Sequence, residues 1–385
     1  MNFDFDEEID RREVPALKWR QADADEVFPA GVADMDFRAA PVIREAMRRR
    51  LAHGVFGYEA VPDGLFAALS GWFEARHGWA IDPAHVLRAP NVLDSLAIAA
   101  SLFTAPGEGI IVQPPVFFDF YDIIRENRRE ILTNPLLLEN GRYLMDFAGL
   151  ERLAARPEAR MLFLCNPHNP VGRVWTREEL ARLSAICRAH DVLVVSDEIH
   201  ADITFPGRAF TPFASLGGKD AQNSIICVSP AKSFNIASCC SSFTIVADAA
   251  RRTAFQAENS RLTVNKNNAF ASVAMLAAYR DGGPWLDAAL DYIHGNLELA
   301  RARLAHMPGV RLIEPEGTFL LWLDFRELGL PPDALLAFLR EKAGWIVTSG
   351  AAFGTEGEGF ARVNIACTRA RLGKALDRLE AALKR

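Results

Sequence analysis

Three polar side chains that could act together in covalent amine chemistry follow three successive apolar segments of the chain. Asn169 lies in CNPHNPVG, Asp197 in SDEIHAD and Lys232 in SPAKSFN. A neutral lysine amine attacks carbonyl carbon, and a buried carboxylate can keep a partner group protonated. Seven of the 43 basic residues are lysines, so Lys232 does not follow the general use of arginine for surface charge. The set offers an amide, a carboxylate and an amine as candidates for one shared site.

The elements that must position these groups are the strands of a parallel, helix-covered sheet. Short apolar runs alternate with amphipathic stretches from about residue 42, which is typical of such sheets. Their near-continuous apolar character predicts burial on both faces. Ligands bind outside the carboxyl ends of parallel strands, so the three side chains should meet at one edge. Strands are predicted at residues 109–113, 160–165, 192–196, 224–229 and 242–247.

Each of these signals also has a purely structural interpretation. An Asn-Pro pair usually marks a turn, and Asn166 is interpreted as a turn former. An Asp-Glu pair after a strand often starts a helix, and a loop lysine is usually solvated. The order of the three motifs after successive strands favours a shared site.

Two domains are expected for a chain of 385 residues. Thr176 and Glu179 form a capping-box pattern that predicts a helix over 176–190. Beyond about residue 285 the pattern changes to that of a smaller α+β unit, with helices predicted over 286–306 and 370–384. The predicted division is a large domain over 42–284 and a small domain formed by 1–41 together with 285–385.

Composition and charge exclude several classes of partner. The net charge of −6 disfavours nucleic acid and anionic membranes as partners. No apolar run reaches the roughly 18 residues of a membrane span, and the N-terminal segment lacks the pattern of a secretory signal. The six cysteines are scattered without metal-ligand spacing. A cytoplasmic protein with reduced thiols and no metal site is expected.

The three motifs together resemble the fold-type-I pyridoxal-phosphate enzymes of the aminotransferase class I/II superfamily. The resemblance spans essentially the whole chain. It narrows to the MalY/PatB-type cystathionine β-lyase or C–S lyase branch through ADMDF (33–37), HGVFGY (53–58), GGPWLDAAL (282–290) and ARVNIACTRARL (361–372). It implies an α/β fold of fold type I, with a mostly parallel helix-covered sheet in the large domain and a smaller α+β domain. The implied cofactor is pyridoxal 5′-phosphate.

The resemblance also implies roles for the residues of the three motifs. Lys232 would hold the cofactor aldehyde as a Schiff base and then remove the Cα proton of the substrate. Asp197 would keep the pyridine nitrogen protonated. Asn169 would hydrogen-bond the phenolic oxygen of the cofactor. His200 stands where many aminotransferases carry a tyrosine that reaches the same oxygen, and a packed histidine at the strand end is the alternative.

Phosphate binding is implied for residues outside these roles. Ser229 matches the phosphate-binding hydroxyl of the family. The backbone amides of Val92 and Leu93 would lie at the start of a helix within 89–100, where N–H groups and the helix dipole favour an anion. Tyr58 matches a tyrosine that reaches the phosphate from the neighbouring subunit. The resemblance therefore implies a homodimer with composite active sites.

Aromatic stacking and substrate binding complete the implied site. Phe117 matches the aromatic side chain that stacks on the cofactor ring, and Tyr121 is the second candidate for that role. Arg362 matches the arginine that binds the substrate α-carboxylate with both arms of its guanidinium, a geometry that lysine cannot copy. An amino acid is therefore the expected small-molecule substrate.

The implied activity is α,β-elimination on cystathionine or a related cysteine conjugate, which gives a thiol, ammonia and pyruvate. An aminotransferase would use the same residues, and consumption of a 2-oxo acid distinguishes it. A ligand-sensing regulator would carry a DNA-binding extension, whereas here the family pattern begins within about 35 residues of Met1. A nicotinamide dehydrogenase is excluded because GTEGEGFAR (354–362) has the wrong glycine spacing.

Overall fold

The computed structural model describes residues 3–22, 27–239 and 241–384. The strands of these residues are β1 (Phe28–Pro29), β2 (Val86–Ala89), β3 (Gly109–Val112), β4 (Glu130–Thr133), β5 (Leu137–Glu139), β6 (Arg142–Leu144), β7 (Ala159–Cys165), β8 (Leu193–Asp197), β9 (Ser224–Val228), β10 (Ser242–Ile245), β11 (Arg311–Ile313), β12 (Leu320–Asp324), β13 (Trp345–Ile346), β14 (Thr348–Ser349) and β15 (Phe360–Asn364).

The helices alternate with the strands over most of the chain. They are α1 (Pro41–His53), α2 (Leu65–His77), α3 (Val92–Phe103), α4 (Asp119–Glu126), α5 (Phe147–Ala154), α6 (Arg177–Ala189), α7 (Gly218–Gln222), α8 (Ala249–Arg261), α9 (Ala269–Asp281), α10 (Gly283–Leu304), α11 (Pro332–Glu341) and α12 (Arg369–Leu383). No helix of the described residues is both long and apolar enough to cross a bilayer.

The largest sheet has seven strands in the order β2-β10-β9-β8-β7-β3-β4. The five strands from β9 to β4 run parallel to one another. β10 runs antiparallel to both of its neighbours, so β2 points in the same direction as the parallel set. The carboxyl ends of β2, β7, β8 and β9 therefore lie at one edge. This sheet confirms the predicted fold class.

Both faces of the sheet are buried, as the apolar strands predicted. Along β7, Met161 and Phe163 belong to one apolar core, while Leu162 and Leu164 belong to the other. This alternation follows from the two-residue period of a strand, which turns successive side chains to opposite faces. Helices cover both cores, so every residue of β8 is buried.

The predicted capping box is confirmed at the start of α6. The Thr176 hydroxyl accepts from the Glu179 amide at 3.2 Å, and the Glu179 carboxylate accepts from the Thr176 amide at 2.8 Å. These two bonds satisfy donors that a helix start otherwise leaves unpaired. α6 lies directly after the loop that holds Asn169 and so fixes the exit of that loop.

A second, antiparallel sheet has the order β11-β12-β15-β14. Trp322 on β12 stacks on Phe360 of β15 with ring centroids 5.1 Å apart. Near it, β1 pairs in parallel with β13 through Phe28 and Trp345, so the N-terminal segment is tied to the C-terminal part of the chain. The division at residues 41 and 285 stays a prediction.

Candidate active site

The carboxyl edge of the seven-stranded sheet brings together the loops that carry the three motifs. β7 and β8 end side by side through the pairing of Cys165 with Asp197, and Asn169 lies in the loop that follows β7. β9 lies on the other side of β8, and Lys232 follows it in the next loop. The shared edge expected from the sequence is therefore present.

Asp197 is a buried carboxylate at this edge. It is 5% exposed, and Oδ1 accepts a hydrogen bond from the Ile199 amide at 3.0 Å. Burial raises the pKa of Asp197 to about 6, although the Ile199 amide and the positive charge of Lys232 oppose the rise. Asp197 forms no salt bridge within the described residues. A buried acid without an ion pair is costly for folding, which is typical of a functional position.

Lys232 lies half-buried against the N-terminal segment that precedes α1. Its Nζ donates to the backbone carbonyl of Ala33 at 2.7 Å. Asn235, in the same loop, donates to the carbonyls of Met35 at 3.0 Å and Phe37 at 2.7 Å. The backbone of the segment ADMDF thus holds the lysine loop. Because every residue type offers a backbone carbonyl, the side chains of this segment do not reveal the contact.

A buried network fixes the residue that follows Lys232. The Ser233 hydroxyl donates to the Asp202 carboxylate at 2.6 Å. The other carboxylate oxygen of Asp202 accepts from Trp72 Nε1 at 2.9 Å and contacts His77 Nε2 at 2.9 Å. Burial opposes ionisation of Asp202, but the hydrogen bonds and charge of His77 and the Ser233 bond hold its pKa below the usual value. Asp202 is the last residue of the SDEIHAD motif, and the sequence did not predict its role in this network.

Arg362 is a buried cation on β15 that lies against Asn169. Its Nη1 donates to Asn169 Oδ1 at 3.0 Å, and its Nη2 donates to the Gly31 carbonyl at 2.7 Å and to Thr348 Oγ1 at 3.3 Å. Its Cζ lies 5.0 Å from the centroid of the Phe353 ring. All of these partners are uncharged, and no carboxylate forms a salt bridge with Arg362 within residues 3–22, 27–239 and 241–384.

The charge and hydrogen-bonding capacity of Arg362 are therefore not used up by the fold. Its Nε is buried and lacks a hydrogen-bond partner. Burial lowers the pKa of Arg362 to about 10, so the guanidinium stays charged at neutral pH. An anion that entered here would gain a charge-assisted, two-armed interaction.

His200 is buried beside the same residues. Its ring centroid lies 5.9 Å from that of Phe319, and its Nδ1 has no hydrogen-bond partner. Burial lowers the pKa of His200 well below the usual value, and the charges of Lys232 and Arg362 lower it further. The imidazole is thus neutral and packed, and its predicted contact with the cofactor stays a prediction.

The residues expected to bind phosphate lie at the same edge, near β2 and β9. Ser229 donates its hydroxyl to the Ser241 carbonyl at 2.7 Å and accepts from the Ala231 amide at 3.2 Å. α3 begins at Val92, and Leu93 follows in its first turn. Their amides lie at the helix start, where an anion is favoured. Their predicted role as phosphate ligands stays a prediction.

The two aromatic candidates differ in what already holds them. Tyr121 is buried, and its hydroxyl donates to the Phe353 carbonyl at 2.9 Å. Phe117 is half-buried and packs on Phe118 with ring centroids 4.9 Å apart. Phe117 thus keeps a partly open ring, whereas Tyr121 is fixed within the fold.

Tyr58 is fully exposed in the single chain. Its side chain has a relative exposure of 107%, and it follows the exposed Val55 and Phe56 in the loop between α1 and α2. A fully exposed tyrosine makes no contribution to the core of its own chain. Its predicted role in a neighbouring subunit stays a prediction.

Glu198, next to Asp197, is a buried acid that sequence reasoning did not single out. Its Oε1 accepts from Ser196 Oγ at 3.0 Å and from the Phe213 amide at 2.8 Å, while Oε2 has no partner. Burial raises the pKa of Glu198 to about 8. The folded protein therefore binds a proton here between about pH 4.5 and pH 8 that the unfolded chain releases.

Replacing Glu198 by glutamine should make the protein relatively more stable as pH rises. The raised pKa means that the native state loses stability from about pH 4.5 up to pH 8, and the amide removes this loss. The stability gap between variant and parent should grow by about 3 kcal/mol from pH 5 to pH 8. Urea unfolding at both pH values measures it, with the exposed Glu139→Gln as control. A gap that does not change with pH would contradict protonation of Glu198.

Comparison with known proteins places this geometry in a family. The model of the family "Aminotransferase class I and II" matches residues 29–379. The chain belongs to this family. The match covers the carboxyl edge of the sheet, Lys232 and Arg362, so the aminotransferase class I and II resemblance drawn from the sequence is confirmed.

The family relatives narrow the resemblance further. The chain is 42% identical over 388 residues to cystathionine beta-lyase PatB of Bacillus subtilis (strain 168), with 100% of both chains covered. It is 34% identical to protein MalY of Escherichia coli (strain K12), with 99% of each covered. The crystal structure of cystalysin from Treponema denticola, which contains a pyridoxal 5′-phosphate cofactor, matches with a TM-score of 0.96 and 32% identity over 100% of this chain and 99% of that one. The predicted branch and fold type are confirmed.

Proposed function

We propose that this chain is a pyridoxal-phosphate-dependent C–S lyase acting on cystathionine or related cysteine S-conjugates. The observation that carries the proposal is the 42% identity to a cystathionine beta-lyase across the whole chain. The net reaction converts the conjugate and a water molecule into a thiol, ammonia and pyruvate. The Cα–H and Cβ–S bonds break, and the sulfur leaves with its bonding electrons and takes up a proton.

Two buried side chains of the described residues, Asp197 and Arg362, can carry a charge that no salt bridge neutralises, and this fits pyridoxal phosphate and its substrate. Asp197 is buried without a salt bridge and suits a protonated ring nitrogen. Arg362 is a buried cation with an unpartnered Nε and suits a carboxylate. When bound, pyridoxal phosphate supplies an aldehyde that captures an amino group and a protonated ring that withdraws electrons from Cα. Neither Asp197 nor Arg362 forms a salt bridge within residues 3–22, 27–239 and 241–384.

The chain's own residues then have the following tasks. Lys232 holds the cofactor through its amine and, as a neutral amine, takes the Cα proton. Asp197 keeps the ring nitrogen protonated because the ion pair favours both charged forms. Arg362 already occupies Asn169 Oδ1, so the amide nitrogen of Asn169 would be the group that donates to the phenolic oxygen. Arg362 also orients the substrate by its α-carboxylate.

The remaining residues bind the phosphate and the ring. The Ser229 hydroxyl and the amides of Val92 and Leu93 bind the phosphate at the start of α3. Phe117 stacks on the ring, a role favoured over Tyr121 because the Tyr121 hydroxyl is bound to a backbone carbonyl. These assignments rest on the position of each residue at the carboxyl edge of the sheet.

Adding an amino-group acceptor tests the lyase against the aminotransferase. A lyase needs no acceptor, so 2-oxoglutarate added with an amino acid should be recovered unchanged. An aminotransferase would convert it to glutamate in step with loss of the donor. Amino-acid analysis over time distinguishes the two, and stoichiometric glutamate would overturn the lyase proposal.

Replacing Arg362 by lysine should act mainly on substrate binding. Lysine keeps the charge but loses the two-armed geometry, so we expect KM to rise about tenfold or more while kcat changes less. Steady-state kinetics with cystathionine measure both constants. Arg340→Lys, on the exposed face of α11, is the matched control. A KM within about twofold of the parent would argue against a carboxylate-binding role.

We also infer that the active unit is a homodimer with sites shared between subunits. Five of the nine large apolar side chains exposed within the described residues lie between the end of α1 and the start of α2, and these five are Leu51, Val55, Phe56, Tyr58 and Val61. An apolar patch of this kind favours association with another surface. A second copy that covers it would bring Tyr58 toward the phosphate of its partner.

Mixing two impaired variants tests the shared site. Lys232→Ala and Tyr58→Ala chains should each be strongly impaired alone. A hybrid dimer has one site with both residues intact, so mixing should restore up to about a quarter of the parental activity. Affinity tags on the two chains show whether subunits have exchanged. Exchange without any recovery would contradict a shared site.

We propose a cytoplasmic location for the enzyme. Within the described residues, Cys165, Cys187, Cys227 and Cys367 are free thiols. All four of these are buried. Free cysteines are typical of a reducing compartment. Fractionation of cells that express the tagged protein tests this location.

A further inference from the structure

Asp119 is an acidic residue at the start of α4 that the proposed mechanism does not use. The preceding residue, Phe118, packs on Phe353 with ring centroids 5.6 Å apart. On the same Phe353 ring, the Arg362 guanidinium carbon lies 5.0 Å from the centroid. The backbone amide of Val116 also donates to the Phe353 carbonyl at 2.9 Å. These contacts fix the start of α4 beside the residue that binds the substrate carboxylate.

The electrostatics of Asp119 agree with this position. Its carboxyl is half-buried, and burial and the charge of Asp122 raise its pKa, while the charges of Lys232 and Arg362 lower it. Its own charge acts in return on Arg362, where it opposes the effect of burial on the pKa. The Asp119 carboxyl therefore lies within electrostatic range of Lys232 and Arg362, the two basic residues that the mechanism uses.

The fold does not use the Asp119 carboxylate. Within the described residues, no hydrogen bond or salt bridge reaches its side chain. The next acid of the same helix turn, Asp122, shows the ordinary arrangement, since it is exposed and pairs with Arg125 at 3.4 Å. An acid near the N-terminus of a helix stabilises the helix start through the helix dipole. This effect does not require the acid to be half-buried and without a partner.

A negative charge at this place affects which substrates can bind. Arg362 takes the α-carboxylate in the proposed mechanism, and the charges of Arg362 and Lys232 both reach the Asp119 carboxyl, which places it near the bound substrate. It repels a second negative group there and attracts a positive one, and partial burial strengthens both effects. Neutral apolar substituents gain nothing from it.

We propose that Asp119 selects cysteine conjugates whose sulfur substituent carries a positively charged group, such as an ammonium. The proposal rests on the proposed function, because it names the substrate class of the same site. Asp119 is a specificity-determining residue: it binds the leaving group and takes no part in proton transfer. The sulfur substituent of cystathionine carries an ammonium beside a carboxylate, so it offers Asp119 both an attractive and a repulsive charge.

Two matched pairs of compounds test the proposal in the holoenzyme. S-(2-aminoethyl)-cysteine and S-ethyl-cysteine differ by the ammonium group and are read by pyruvate release. L-lysine and L-norleucine have the same shapes without a sulfur that can leave, and are read by binding, through the change in cofactor absorbance. We expect the parent to favour the charged member of each pair at least tenfold, in kcat/KM and in Kd.

Variants of the helix start complete the test. In Asp119→Asn both ratios should fall at least fivefold, Asp119→Glu should keep most of the preference, and Asp122→Asn should leave it unchanged. No charge preference in the parent, a preference that survives in Asp119→Asn, or an equal loss in Asp122→Asn would each overturn the proposal. A lysine preference that depends on Asp119 without any pyruvate release would support this inference and contradict the lyase proposal.

Discussion

The Lys232→Ala protein should have no measurable lyase activity, with kcat/KM reduced at least about 10⁴-fold. The substitution removes the amine that holds the cofactor and the base that takes the Cα proton, and no other residue can fill both roles. The Ala33 carbonyl accepts a hydrogen bond from Nζ at 2.7 Å, but an amide oxygen is too weakly basic to take the Cα proton. Steady-state kinetics with cystathionine measure the loss.

Chemical trapping gives the same prediction a second readout. Borohydride reduction of the holoenzyme followed by peptide mapping should place the pyridoxyl group on Lys232. The exposed Lys219 and Lys266 are the matched controls, and their alanine variants should keep parental activity. A label on either of them, or activity in Lys232→Ala within about tenfold of the parent, would exclude the assigned role.

The Asp197→Asn protein should keep its cofactor and lose about 100-fold or more of its kcat. Asparagine retains the shape and the hydrogen bond from Ile199, but a neutral amide does not hold a proton on the ring nitrogen. Without that proton the ring withdraws electrons from Cα poorly, while Lys232 and Arg362 are unchanged. Cofactor absorbance and kcat, measured on the same preparation, separate loss of binding from loss of chemistry.

Glu198 provides the matched control for this prediction. It is the adjacent buried acid, and its Oε1 is bound by Ser196 and the Phe213 amide. Glu198→Gln should therefore keep most of the activity while Asp197→Asn loses it. Equal losses in both variants would show that any buried acid at this strand end matters only for folding. Activity of Asp197→Asn within a few-fold of the parent would remove its assigned role.

The sequence predicted the sheet and the meeting of the three motifs because both depend on local signals. Apolar runs of the right length identify buried strands, and an edge of parallel strands gathers whatever follows their carboxyl ends. Asn169, Asp197 and Lys232 could therefore be placed together. The helix expected from residue 286 starts at Gly283 in the structure, because proline is compatible with the first turn and Pro284 lies inside it.

Other features of the site could not be predicted because they depend on backbone groups and on distant packing. The carbonyls of Gly31 and Ala33 accept from Arg362 and Lys232, and every residue type offers such a carbonyl. The antiparallel direction of β10 is also invisible in its composition, since buried strands of either direction are apolar.

The central claim is that the enzyme breaks the Cβ–S bond of its substrate without an amino-group acceptor. Purified protein, loaded with pyridoxal phosphate and incubated with cystathionine alone, should release thiol, pyruvate and ammonia in equal amounts. The same incubation with Lys232→Ala should release none of them. Equal release in the parent is the result that we predict. Pyruvate that forms only when a 2-oxo acid is supplied, or thiol released without pyruvate, would contradict the account.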